Sequence, residues 1–332
     1  MKRASLALWA VALCAALGCS QPRTDAPSAT VATPTTSQAD GKKLTFAVVP
    51  KGLTHQFWLS VKKGAETAAQ DLGISIKWVG PEKETEVVKQ INIIEDQIGA
   101  GVDAIVMAAC DQDALVDVIK KAMDRGIPVV TIDSGVNSDL PVSFVATDNI
   151  AGAAAAAREL ARLIGNEGDV GLIPFVKGAG TSEQREEGFK QGLAEFPNVK
   201  LVSVQYSQSD VAKAMDVTED MITSQPNLKG IFAANEPGAI GAVQALEAAN
   251  KAGQIKMVAF DASEDELAAL QKGTIHALIV QNPFRMGYDG VKAAYDHLQG
   301  KAVEKRIDTG VQIVTLENLN DPEIQKVLNP LG

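Results

Sequence analysis

The chain has 332 residues, with 31 basic and 41 acidic side chains, a formal charge of −10 and a hydrophobic fraction of 46%. That acidic balance argues against nucleic acid as a partner, because such binding needs a basic surface that displaces counterions from phosphates. Three His and three Cys in all leave no metal-ligand cluster of zinc type.

In chain order, Lys2 and Arg3 form a positive start, residues 4–18 carry no charge, and Cys19 follows Gly18. Fifteen uncharged residues fall short of the roughly 20 that span a bilayer as a helix, so residues 1–18 are expected to be an export signal. The stretch resembles a bacterial lipoprotein signal. That resemblance implies lipidation of Cys19, a membrane held through the lipid, and a location in the periplasm or cell envelope. Removing the leader takes Cys14 with it and leaves Cys110 as the one thiol free of the anchor, so no internal disulfide is expected. Cys110 reads as a small buried residue near the strand ends rather than a reactive thiol. Residues 20–41 are rich in Ser, Thr, Ala, Pro and Asp. They hold too little apolar area to offset their ordering entropy, so residues 19–41 read as the anchor and a disordered tether reaching about 25 Å.

From residue 44 onward, short β-rich runs alternate with helical patterns. Strands are expected at 44–49, 74–79, 103–107, 129–132 and 143–146, with helices near 56–71, 84–99 and 112–125. The alternation then restarts, with strands at 169–173, 199–205, 229–233, 256–260 and 277–281. Its helices fall at 149–165, 184–195, 211–223, 237–250 and 263–272. Apolar strands alternating with helices predict parallel sheets of βαβ units, and two successive sets predict two similar α/β lobes, each with its own core.

Ligands of open parallel sheets sit outside the carboxyl ends of the strands. In the first lobe those ends carry residues 51–58, then Cys110 and Asp111, then Asp133 and Ser134. In the second they carry 175–185, 206–210, Asn235 and Glu236, Asp261, and Gln281 with Asn282. Carboxylates, amides, an Arg and two adjacent aromatics recur where such a fold makes a site.

At these residues the chain resembles the ribose-type periplasmic sugar-binding proteins (type I, with a LacI-like fold) that deliver ligand to ABC importers. The resemblance covers about residues 44–315. It is carried by Thr54-His55-Gln56-Phe57-Trp58, Val129-Val130-Thr131-Ile132-Asp133, Ala146-Thr147-Asp148-Asn149, and Gly180-Thr181-Ser182 with Arg185 and Gly188-Phe189. Phe232-Ala233-Ala234-Asn235-Glu236, Val258-Ala259-Phe260-Asp261 and Val280-Gln281 complete it. It implies two doubly wound parallel-sheet lobes joined by three hinge strands near 146–149, 281–283 and 308–312. The first lobe would comprise residues 42–147 plus 282–309, completed by a helix at 284–299. The second would comprise 148–281 plus 310–332. Carried over by position, ligand contacts fall on His55, Phe57, Trp58, Asp133, Arg185, Asn235, Asp261 and Gln281, with Lys51, Ser134 and Glu236 as further candidates. This chain has Ser134 where the ribose proteins have Arg, Ser209 where they have an aromatic, His55 for Asn, and Pro50-Lys51 where their first strand ends in Ser. Ribose itself is therefore disfavoured, while a polyhydroxy ligand remains the expected class.

Ionised Asp133 and Asp261 each accept hydroxyl hydrogen bonds, Arg185 donates in a planar fork, and Asn235 and Gln281 do both. Phe57 and Trp58 offer a flat face to sugar C–H groups. The expected function is a monomeric, non-enzymatic solute-binding protein that takes up a monosaccharide or polyol, closes by hinge bending and docks on ABC permease subunits. No catalytic residue, metal or cofactor is expected. An accessory role presenting ligand to a sensor kinase or chemoreceptor would use the same closed lobes. A secreted glycosidase would use Asp133 and Asp261 as acid and base, but the chain has no Gly-x-Ser-x-Gly elbow. A transcription regulator of the same body would need a helix-turn-helix where the leader and tether stand.

Overall fold

Runs such as Ala104-Ile105-Val106-Met107 are apolar throughout rather than alternating, the pattern of a strand covered on both faces. The computed structural model describes residues 43–329, and the expected leader, Cys19 and tether lie outside them. β1 (Thr45–Val49), α1 (Gln56–Leu72), β2 (Ser75–Trp78), α2 (Val87–Gly99), β3 (Ala104–Met107), α3 (Val116–Asp124), β4 (Val129–Ile132) and β5 (Ser143–Ala146) come first. α4 (Asn149–Leu163), β6 (Gly168–Ile173), α5 (Gly180–Leu193), β7 (Val199–Val204) and α6 (Val211–Ser224) follow. Next are β8 (Leu228–Ala233), α7 (Glu236–Ala248), β9 (Lys256–Phe260), α8 (Glu264–Lys272) and β10 (Ala277–Val280). α9 (Pro283–Leu298), β11 (Arg306–Asp308), β12 (Gln312–Val314) and α10 (Pro322–Leu328) close the described chain.

The strands form two six-stranded sheets, in the orders β11-β5-β4-β3-β1-β2 and β12-β10-β9-β8-β6-β7. The same doubly wound order thus appears twice, and the chain passes from one sheet's lobe to the other after β5, after β10 and between β11 and β12. Every pairing in the first sheet is parallel. In the second, β12 runs antiparallel to β10. Only residues 309–311 separate β11 from β12. Each sheet is covered on both faces by apolar clusters. Phe46, Val106 and Val291 mark one face of the first and Ile94, Ile105 and Leu115 the other. In the second, Phe189 stacks on Phe232 at 4.7 Å between the ring centres, while Met257, Leu270 and Leu278 fill the opposite face.

Three helix starts differ from expectation by three residues or more, two of them for a reason visible in local hydrogen bonds. α2 begins at Val87 rather than 84, because the Glu86 carboxylate accepts the N–H groups of Glu82 and Lys83 and wraps the preceding loop. α3 begins at Val116 rather than 112, because the Asp111 side chain accepts from Asp113 and Ala114 and holds a turn there. α5 begins at Gly180 rather than 184, which buries Thr181 and Ser182. α10, which the residue pattern did not announce, packs Ile324 on the second lobe.

α1 and α9 pack backbone to backbone. A Cβ at Gly64 would stand 1.9 Å from the Phe284 carbonyl oxygen, and one at Gly287 would stand 2.0 Å from that of Val61. Glycine is therefore required at this contact by space rather than by torsion. Gly64→Ala should cost about 1–3 kcal/mol by overpacking and lower the melting temperature by several degrees. Gly99→Ala, whose Cβ would meet nothing within 4 Å, should leave it unchanged or raise it. Equal melting temperatures for the two variants would contradict this packing.

Candidate ligand-binding site

The carboxyl ends of the two sheets face one another, and the loops that leave them converge on a tight chamber with about 20 Å³ of free volume, roughly the room one water needs. His55, Phe57, Trp58, Asp133, Arg185, Asn235, Asp261 and Gln281 all line this chamber, as do Lys51 and Glu236. Ser134 does not. It is fully buried next to Asp133, with no hydrogen-bond partner for its hydroxyl among the described residues.

Asp133 follows β4 and Asp261 follows β9, and each backbone N–H bonds the neighbouring strand, at the carbonyls of Val145 and Ile279. Both adopt left-handed backbone, with φ of 54° and 83°. That conformation is uncommon for non-glycine residues and turns these two side chains off their strand ends at equivalent places in the lobes. Asp261 leaves the capping of α8 to Ser263, which forms a capping box with Glu266. Its own carboxylate accepts the Glu236 N–H at 2.9 Å and the Gln281 amide at 2.7 Å. The Gln281 Oε1 is buried with no donor of its own.

The cations are held from behind. Arg185 donates Nε–H to Asn149 Oδ1 and Nη1–H to the Ala234 carbonyl, and its guanidinium lies 3.9 Å from the centre of the Phe260 ring. Burial is the main pull lowering its pKa; Asp261, Asp133 and Glu84 oppose it. The Lys51 ammonium stands 3.1 Å from Asp133 Oδ2, 4.0 Å from Glu84 and between the rings of Trp58 and Phe175, and it donates to Thr181 Oγ1 at 3.0 Å. Burial pulls its pKa down, but Asp133 and Glu84 together hold it above the ordinary value. Burial pushes the Asp133 carboxyl upward against the pull of Lys51 and Arg185.

Trp58 is buried in the first lobe's core and offers the chamber one wall, with Phe57 set edge-on at 4.9 Å. Asn235 caps α7 through Oδ1 and donates Nδ2–H to Ser209. His55 is the N-cap residue of α1 but makes no side-chain cap bond; its Nδ1 lies 3.7 Å from Glu84.

Glu84, Phe175, Thr181 and Pro237 also line the chamber and were not singled out from sequence. Glu84 accepts from Trp58 Nε1 at 2.9 Å and from Ser209 Oγ at 3.0 Å. Burial opposes its charge, yet Lys51, His55 and these two bonds hold its pKa below the carboxylate range. The signal that could have found it was positional: it stands in the loop after β2, at the same sheet end as Asp133. Cys110 is fully buried near the Lys51 carbonyl, and burial drives its thiol far up, which leaves it protonated. Among the described residues no cluster of His, Cys, Asp or Glu could hold a metal ion, and no helix is long and apolar enough to cross a membrane.

The family model described as periplasmic binding protein domain matches residues 46–302. The chain belongs to that family. Among relatives, it is 33% identical to the D-ribose/D-allose-binding protein of Pseudomonas aeruginosa, over 82% of this chain and 89% of that one. It is 30% identical to the ribose import binding protein of Bacillus subtilis, over 82% and 88%. Among solved structures, a carbohydrate transporter solute-binding protein from Agrobacterium radiobacter in complex with D-arabinose matches with a TM-score of 0.84 at 35% identity, over 87% of this chain and 99% of that one. An ABC transporter solute-binding protein from Agrobacterium vitis with bound D-fucose matches at 0.83 and 38%, over 85% and 99%. Two α/β lobes with mostly parallel sheets are thus common to this periplasmic binding protein and its structural neighbours, and the family is one of transport binding proteins rather than enzymes.

One carboxyl of the site region lies behind its wall. Glu266 is fully buried; its Oε2 accepts the Ser263 N–H and hydroxyl, while Oε1 has no partner among the described residues. Burial, then Asp261 and Glu236, raise its pKa well above the ordinary value. A raised carboxyl contributes stability that is present below its unfolded pKa and lost as pH rises through the folded one. Glu266→Gln should therefore match the parent at about pH 4 and melt a few degrees higher at about pH 8. A lower melting temperature at the higher pH would contradict this.

Proposed function

We propose that this periplasmic binding protein captures a monosaccharide or polyol in the chamber between its lobes and delivers it to the membrane subunits of an ABC importer. The observation that carries the reading is convergence: residues separated by up to 230 positions, from Lys51 to Gln281, wall a single small chamber with charged and amide groups over an aromatic face. Gln281 Oε1, buried without a hydrogen-bond donor among the described residues, is an acceptor suited to a hydroxyl. Arg185 keeps Nη2 free of partners among the described residues, a donor suited to a ring or hydroxyl oxygen. Bonds to charged groups contribute about 1.5–3 kcal/mol each, so a few suffice for micromolar binding. The relatives' sugars, among them ribose, allose, arabinose and fucose, support the ligand class.

Ligand entry into an open cleft, with closure by bending of the segments at 147–148, 281–282 and 309–311, completes the reading. These segments would divide the chain into lobes of 42–147 with 282–309 and of 148–281 with 310–332. The positive start, uncharged run and Gly18-Cys19 pair support export and lipid anchoring through Cys19, with the body acting as a monomer outside the cytoplasm.

A thermal-shift panel of D-ribose, D-allose, D-arabinose, D-fucose, D-tagatose and common polyols tests the ligand class, since a compound above its dissociation constant raises the melting temperature. At least one should do so. Asp261→Ala should then weaken that compound's binding by more than about tenfold with the fold intact. A panel without a shift would overturn the proposed function, and a change below about twofold would remove Asp261 from the contacts.

A further inference from the structure

Glu236 was expected as a possible ligand contact, but its carboxylate is already engaged. Oε1 accepts the backbone N–H of Gln56 and Oε2 that of Phe57, both at 3.0 Å. These are the first two residues of α1, a 17-residue helix whose N-cap His55 makes no side-chain bond and whose first turn holds no acidic residue. The start of a helix needs acceptors for its free N–H groups and favours a negative charge. Here α1 receives both from the opposite lobe. The exchange is mutual: Gln56 Oε1 accepts the N–H of Glu264, the first residue of α8 in the second lobe, at 2.8 Å.

We infer that Glu236 is a closure latch: it caps α1 across the cleft when the lobes shut, and so sets how tightly any ligand is held without discriminating among ligands. The inference rests on the binding and closure proposed for the chamber. Three features fit a latch better than a ligand contact. The carboxylate's two oxygens each meet one amide, which leaves little of it for a guest. Glu236 also lines the wider outer cleft that Phe57, Asp261 and Gln281 share with the chamber, so it stands in the partition between the two. Its own backbone N–H is fixed by Asp261, which ties the latch to a proposed contact residue. Opening the lobes would strip α1 of its cap and return the two amides and the carboxylate to water, so the bond forms as part of closing.

The test pairs calorimetric titration with hydrogen exchange on wild type, Glu236→Ala and Glu236→Gln, with D-ribose, D-arabinose and D-allose as probes. A latch predicts that Glu236→Ala weakens every probe that binds the wild type by a similar factor, about tenfold, with Glu236→Gln intermediate. It also predicts faster amide exchange at Gln56 and Phe57 in the sugar-bound alanine variant. Unchanged affinity overturns the latch, and a loss confined to one sugar makes Glu236 a ligand contact instead. If no probe binds the wild type, the proposed ligand class has failed for these sugars, and the latch is judged by exchange alone. Protection of Gln56 and Phe57 that is the same in wild type and Glu236→Ala overturns it. Circular dichroism of the glutamine variant, which keeps shape and one neutral acceptor, guards against loss of fold.

Discussion

A buried charge must find partners, and in this protein the partners stand on the other side of a cleft. Lys51 at the end of β1 is almost wholly buried, lies on Asp133 of its own lobe and donates to Thr181 of the opposite one. Glu84 accepts from Trp58 in its own lobe and from Ser209 across the gap. Either group left alone and desolvated would cost several kcal/mol. The apposition of the two sheet ends is thus a condition for satisfying the polar residues that each sheet projects. Backbone geometry supplies the rest, since left-handed Asp133 and Asp261 turn matched carboxylates off the ends of β4 and β9.

The same constraint shapes recognition. A chamber with two cations held by protein acceptors and several carboxylates around them suits a neutral guest rich in hydroxyls. Such a guest gives donors to the open acceptors and accepts from the remaining guanidinium nitrogen without adding net charge. A guest lacking one hydroxyl would leave a desolvated group unpaired, which is how small polar sites discriminate. Lys51, standing where the ribose-type pattern has Ser, occupies space between Trp58 and Phe175 and narrows the chamber on that side. The acceptable guest is therefore small.

Much of this was legible in the residues because parallel sheets bury both faces. Their strands read as unbroken apolar runs, and topology alone brings the residue after each run to the carboxyl end of its sheet. Asp133, Asn235, Asp261 and Gln281 could be found that way. Glu84 could not, because its position was absorbed into an expected helix whose true start at Val87 depends on the Glu86 side chain folding back on Glu82 and Lys83. Thr181 and the early start of α5 escaped for a similar reason, since a helix opening on Gly-Thr-Ser carries little apolar periodicity. Partnerships across the lobes, such as Glu236 on the amides of α1, lie beyond local pattern altogether. They arise only when segments about 180 positions apart meet.

The measurement that bears most directly on this account is small-angle scattering of the protein with and without a saturating sugar that raises its melting temperature. A two-lobed clamp predicts a smaller radius of gyration with the sugar, and a bound-state curve that matches the closed arrangement of residues 43–329. Identical curves in the two conditions, with binding independently demonstrated, would contradict capture by closure of the lobes.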